Sequence, residues 1–217
     1  MHNEHYKFVN PPLPYPYDAL EPFIDSKTME LHHDRHLQTY VDNLNNILKD
    51  YPQYQSLSLE QLLVYSYSLP TAIQTPIKNN AGGVFNHIFF FNNLKNPSTL
   101  QPESPLSAYI TSTFGSYDNF QKEFTTAALS VFGSGYAWLA IDAFGQLKIL
   151  TSANQDTPLT LNLCPILNLD VWEHAYYLKH YNQRAEYIKD WFHVINWQQV
   201  NHNLSSCLYS LHMPLYG

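Results

Sequence analysis

The chain changes pattern once, at NPSTLQPESP, residues 96–105, where polar turn formers and three prolines interrupt every apolar periodicity. Before this stretch, apolar residues recur at helical spacing. After it, one more helical stretch gives way to alternating strands. The reading is α+β, with an N-terminal helical hairpin domain over 1–99, a linker at about 96–105, and a C-terminal α/β domain over 100–217 with a three-stranded antiparallel sheet. In the first half, VNPPLPYPYDALEP (9–22) is an extended arm, because proline fixes its own φ and turns the preceding residue away from helix. Ser26 is placed to cap a helix beginning near Lys27, and from Met29 to Leu48 the residues Met29, His33, His36, Leu37, Tyr40, Val41, Leu44 and Leu48 share one broad helical face. Further helices are predicted over 57–69 and, after Pro76, over 77–94. In the last of these the adjacent Gly82 and Gly83 cost about 1 kcal/mol each relative to Ala, which implies that something approaches the backbone closely.

In the second half, Phe114–Val131 reads as helical with Ser116 as cap. YAWLAIDA and QLKILTSA flank Phe144-Gly145 as a hairpin, and ILNLDVW supplies a third strand. Residues 173–197 read as one long aromatic-rich helix, and 198–217 carry little signal. Net charge is −7 with no basic block, which excludes general nucleic-acid binding. The N-terminus lacks the basic and apolar regions of a signal peptide, and no run is long and apolar enough for a membrane span, so the expected location is cytoplasmic. Cys164 and Cys207, the only cysteines, exclude a disulfide scaffold and any CxxC site.

Three clusters carry the chemistry. His32, His36 and Tyr40 are spaced i, i+4, i+8 and stack along one helix face. His87 follows the glycine pair in NNAGGVFNH, and Asp170 and His174 bracket the end of the third strand in DVWEH. Singly, each is consistent with an ordinary structural histidine or ion pair. Together they offer imidazole and carboxylate from both halves of the chain, a donor set that suits iron, manganese and zinc. Composition and spacing reach a transition-metal site of three His and one Asp, without identifying the ligands among eleven histidines.

The blocks PPLPYPYDALEP, HHDRH…Y, NNAGG..NH, FGSGYAWL, NQDTP and DVWEHAYYL occur in one order from about Phe8 to Trp197. In this the chain closely resembles the iron/manganese superoxide dismutases. The resemblance implies one manganese ion per subunit, with iron as the alternative, bound by His32, His87, Asp170 and His174, and a water or hydroxide in the fifth position. Superoxide would be converted to oxygen and hydrogen peroxide by alternate reduction and oxidation of the ion. Proton uptake on reduction would leave the formal charge of the site unchanged. Gln155 would hydrogen-bond the bound solvent, Tyr40 would bond Gln155, and His36 and Tyr40 would guard the channel. Tyr177 and Glu173 would reach across a homodimer interface, with a tetramer left open. Trp172 would pack near the metal, and Arg184 and Arg35 would steer the anionic substrate. Gly83 paired with Gln155 fits the manganese pattern, a side chain at 83 being expected to collide with Gln155.

Departures from the family pattern are Leu37 for histidine, Val84 for the histidine of GGHxNH, Phe91 for tryptophan, and Tyr136 for the first tryptophan of GSGWxWL; Trp138 keeps the second. Three other readings are weaker. A ferritin-like di-iron protein needs Glu-x-x-His on two helices, and only Glu30-x-x-His33 fits. A two-His-one-carboxylate oxygenase would need a co-substrate and open coordination positions. A catalytically silent member of the fold would have no reason to keep the four ligands, Gln155 and Tyr40.

Overall fold

The structure is a computed structural model and describes residues 4–98 and 101–212. The expectations for residues 99–100 of the linker and for 213–217 fall outside the described residues. The N-terminal half is helical: α1 (Ser26–Leu31), α2 (Gln38–Lys49), α3 (Leu59–Val64) and α4 (Thr71–Asn92). Between α1 and α2 the helix widens into a π segment, His32–Leu37, a local distortion that is frequent at functional sites. The cap of α1 is Asp25, whose carboxylate accepts from the Thr28 backbone N–H, while the expected cap, Ser26, is already helical. An aspartate there also complements the helix dipole.

Helix α4 starts at Thr71, six residues before the expected Ile77, and takes Pro76 into its interior. The early turns hold because the Gln74 amide donates to the carbonyls of Tyr67 and Leu69, and because Ile73 is buried. Most of the remaining length of α4 is buried.

The C-terminal half comprises α5 (Leu106–Phe114), α6 (Tyr117–Ser130), strands β1 (Gly135–Ile141), β2 (Leu147–Ala153) and β3 (Cys164–Asp170), and helices α7 (Tyr177–His180), α8 (Arg184–Trp191) and α9 (Trp197–His212). Ser116 caps α6 as expected. The sheet is antiparallel in the order β2-β1-β3, so β1 is central and buried at every residue. The hairpin closes at Gly145, whose φ of 75° lies in the region that favours glycine.

The last third of the chain departs from expectation in three places. The predicted helix over 173–197 is broken: a 3-10 turn over Glu173–Ala175 precedes α7, and Tyr181 at φ 50° ends α7 before α8 begins. Residues 197–212 form a helix that packs on β3 and α5, burying Val200, Leu204 and Cys207. Cys164 and Cys207 are joined in one disulfide, which the sequence reading did not anticipate. Among the described residues, no helix is long and apolar enough to cross a membrane.

Candidate metal centre

Four elements meet at one buried point. The π segment brings His32, α4 brings His87, the end of β3 brings Asp170, and the 3-10 turn that follows brings His174. Their donor atoms lie within 4.8 Å of one another. His32 Nε2, His174 Nε2 and His87 Nε2 are 3.3, 3.5 and 3.9 Å from Asp170 Oδ2. All four of these atoms are buried without a hydrogen-bond partner. An unpaired buried polar atom is costly, so four converging on one point mark a place built for a cation. The chemistry of the set fits a borderline transition metal.

The supports fix which atoms face inward. His87 Nδ1 is 2.6 Å from the Gly83 carbonyl, which can only accept, so Nδ1 carries the proton and Nε2 presents its lone pair. Asp170 Oδ1 accepts from the Trp172 backbone N–H at 2.8 Å, leaving Oδ2 as the free donor. Phe90 and Phe91 pack on the His32 ring, and Trp172 stacks on His174 at 5.5 Å between ring centroids. The Trp172 indole N–H is tied to the Asn154 carbonyl.

Beside the four donors sits a chain of amides and phenols. Gln155 Nε2 donates to Tyr40 Oη at 3.1 Å. Asn86 Nδ2 donates at 3.1 Å to both the side-chain and backbone oxygens of Gln155, and the Asn86 carbonyl accepts from Asn168. The Tyr187 hydroxyl donates to the Asp170 backbone carbonyl. The sequence reading gave no role to Asn86, Asn168 or Tyr187. A polar residue in each apolar run was the available signal.

Gly83 is placed differently from expectation. A Cβ there would meet the Tyr40 ring at 2.4 Å; it is Gly82 whose Cβ would meet Gln155, 2.3 Å from its carbonyl oxygen. Helix period explains the exchange, since neighbouring helical residues face directions about 100° apart.

His36 stacks on His174 with centroids 4.1 Å apart. Tyr136 is wholly buried with its hydroxyl unpaired, and its ring meets His87 edge-on at 6.4 Å. Trp138 packs against Tyr136 and gives its N–H to Ser152, so it supports Tyr136 from behind. Arg184 donates to the carbonyls of Val131 and Gly133 and to the Tyr176 hydroxyl. Arg35 and Glu173 are exposed, and Tyr177 is about half exposed.

Burial disfavours the charged imidazoles, lowering His32 to about 4 against the pull of Asp170, and His87 well below its ordinary value. Burial pushes the Asp170 carboxyl up, but the imidazoles of His174 and His32 outweigh it and hold it ionised. His32 and His87 therefore offer neutral imidazoles, and Asp170 an ionised carboxylate, to a cation at neutral pH. For His32 the folded value lies below the unfolded value of 6.5. The unfolded chain then binds more protons between these limits, and this stabilisation is full above 6.5 and lost as pH falls towards 4. For the metal-free chain, His32 alone is expected to contribute about 3 kcal/mol to that loss. Urea midpoints taken across this window check it; a midpoint that holds or rises on acidification contradicts it.

The Asn86 fork supports a further expectation. Asn86→Ala should lower activity by about 10–100-fold, as for other supports of metal sites, with metal content retained. Metal analysis beside a rate assay checks this, and loss of the metal itself would contradict it.

Fold and site together define a class: an α+β metalloprotein with one mononuclear centre of three histidines and an aspartate, drawn from both halves of the chain. The models of the iron/manganese superoxide dismutases match it twice, the alpha-hairpin domain over residues 6–95 and the C-terminal domain over 102–203. The chain is 50% identical over 192 residues to "Superoxide dismutase [Mn] 1" of Leptolyngbya boryana, covering 88% of this chain and 77% of that one. It is 47% identical over 191 residues to "Superoxide dismutase [Mn] 3" of the same organism, covering 88% and 80%. The chain belongs to the iron/manganese superoxide dismutase family. It is accordingly an oxidoreductase that converts superoxide to oxygen and hydrogen peroxide with manganese or iron as cofactor.

Proposed function

We propose that the working ion is manganese, held by His32, His87, Asp170 and His174, and that Tyr40, Gln155 and His36 complete the catalytic machinery. The observation that carries this reading is the convergence of four orphaned donor atoms within 4.8 Å beside the Gln155–Tyr40 hydrogen bond. When bound, the ion supplies a one-electron couple that one superoxide reduces and the next oxidises. Two superoxide anions and two protons give one oxygen and one hydrogen peroxide.

The protein's own part is to place and hold protons. Burial raises Tyr40, so its hydroxyl keeps its proton at neutral pH and can pass it only towards a stronger base. Gln155, clamped by Asn86, presents its amide to that hydroxyl. His36 is lowered by burial and by the neighbouring His174, so it stays neutral at the mouth of the site and places no charge against the metal ligands. Asp170 is the only anionic donor in the cluster, which favours the higher oxidation state. The glycine at 83 admits the Tyr40 ring, and the relatives named for manganese favour that metal over iron. Tyr136 and Trp172 set aromatic surface against His87 and His174, and Trp138 backs Tyr136.

Arg184 is fixed by three acceptors, none of them anionic, so its charge is left to attract superoxide towards the entrance. Arg35, exposed on the segment that carries His32, adds to the same field. The division into domains 1–99 and 100–217 belongs to this reading. So does the homodimer: Glu173, Tyr177 and Leu178, within four residues of His174 in the chain, are exposed, and the exposed Tyr181 meets Tyr177 edge-on; exposed apolar side chains such as Tyr177, Leu178 and Tyr181 are what a second copy would cover. Sedimentation would separate dimer from tetramer. The cytoplasmic expectation rested on the missing signal-peptide pattern and on the lack of a long apolar run, and the disulfide weighs against it. Loading the metal-free chain with manganese or iron and following superoxide consumption tests the metal. Restoration by manganese is the expected result, and restoration by iron alone overturns the assignment.

A further inference from the structure

Cys164 opens β3, and Cys207 lies on the third turn of α9. They are bonded, with Cα atoms 5.9 Å apart, inside the usual span of a disulfide. Cys207 is buried, its sulfur against the Pro165 carbonyl, and Leu204 is buried one turn earlier. The family match ends at residue 203, so Leu204 and Cys207 belong to a part of α9 that this match does not describe. The bridge closes a segment with a sequence separation of 43. Inside it lie Asp170 and His174, two of the four metal donors, and also Trp172 and Arg184. Strand β3 is thus held at one end by the disulfide and delivers Asp170 at the other.

We propose that Cys164 and Cys207 are a covalent modification site, oxidised in a compartment that supports disulfides, and that the bond locks the segment carrying Asp170 and His174. Disulfides persist in oxidising surroundings and are rare in reducing cytosol. The chemistry is exchange: the disulfide of a thiol oxidoreductase is transferred to the two cysteines. Each cysteine thiol gives up one proton and one electron, and the donor disulfide takes up both pairs to become two thiols. The buried position of Cys207 and its apolar neighbours suit a permanent staple, since a catalytic or sensing thiol needs access. The lock is relevant to catalysis only through the dismutase reading above; the oxidation state is independent of it.

Two experiments decide the matter. In source cells quenched with acid, denatured and labelled with a maleimide polymer, the chain should show no mobility shift until a reductant is added first. A shift by two labels without reduction overturns the proposal. In the purified manganese-loaded protein, reduction by a phosphine and the double variant Cys164→Ser/Cys207→Ser should each lower the melting temperature by roughly 10 °C, as expected for closing a loop of this length. Activity per bound ion at ambient temperature should not change. An unchanged melting temperature in both cases overturns the lock. If the parent holoprotein consumes no superoxide, the dismutase reading fails while the labelling result still stands or falls alone.

Discussion

Asp170→Asn is expected to leave a folded chain that retains little metal and consumes superoxide more than about a hundredfold more slowly. Loss of a mere support for a metal ligand costs about 10–100-fold, and Asp170 is itself the central donor. Its Oδ2 faces the three imidazole Nε2 atoms, and it is the only anion in the cluster. Asparagine keeps the shape and an oxygen able to accept from the Trp172 N–H, so the fold should persist. The charge that balances a trivalent ion is gone. Elemental analysis, circular dichroism and a rate assay on the same preparation check this. Full metal content with parental activity would show that the carboxylate is not a ligand.

The second large effect concerns the glycine pair, where the two positions should separate. In Gly82→Ala the new methyl would sit 2.3 Å from the Gln155 carbonyl oxygen, a backbone atom that cannot swing aside. Overpacking of this kind costs typically 1–3 kcal/mol and occasionally more, and about 3 kcal/mol is expected here, a fall in melting temperature of about 6–12 °C. The loop carrying Gln155 must also retreat from α4, which would loosen the Asn86 fork. In Gly83→Ala the obstacle is the Tyr40 ring, a side chain that can rotate. Stability should fall less, and activity more, because Tyr40 would leave Gln155. Thermal melts and rates on both variants check this; equal behaviour would contradict the distinction.

Much of this was legible because the physical signals were local. The hairpin about Gly145 and the helix capped by Ser116 follow from alternation and capping chemistry, which need no tertiary information. The glycine pair announced a close approach, but not which neighbour met which glycine, because that depends on how α2 and the Gln155 loop dock against α4. The break at Tyr181 was hidden because a tyrosine, and no glycine or proline, takes the positive φ. Helix α9 did carry a pattern, with Trp197, Val200, Leu204 and Cys207 at helical spacing. The Gln, Asn and Ser residues between them diluted it below notice. The disulfide could not be read, since a separation of 43 residues says nothing about proximity. Of the site, the four donors were reached by resemblance, whereas histidine spacing alone left them among eleven. Asn86 and Tyr187 became visible only through the groups they hold.

The most direct measurement counts products: superoxide is supplied to chain loaded with one manganese ion per subunit, and oxygen and peroxide are quantified while decay is followed by rapid mixing. One oxygen and one peroxide for every two superoxide consumed, with decay far faster than for metal-free chain, is the predicted result. Peroxide without oxygen, or decay no faster than without metal, would contradict the account.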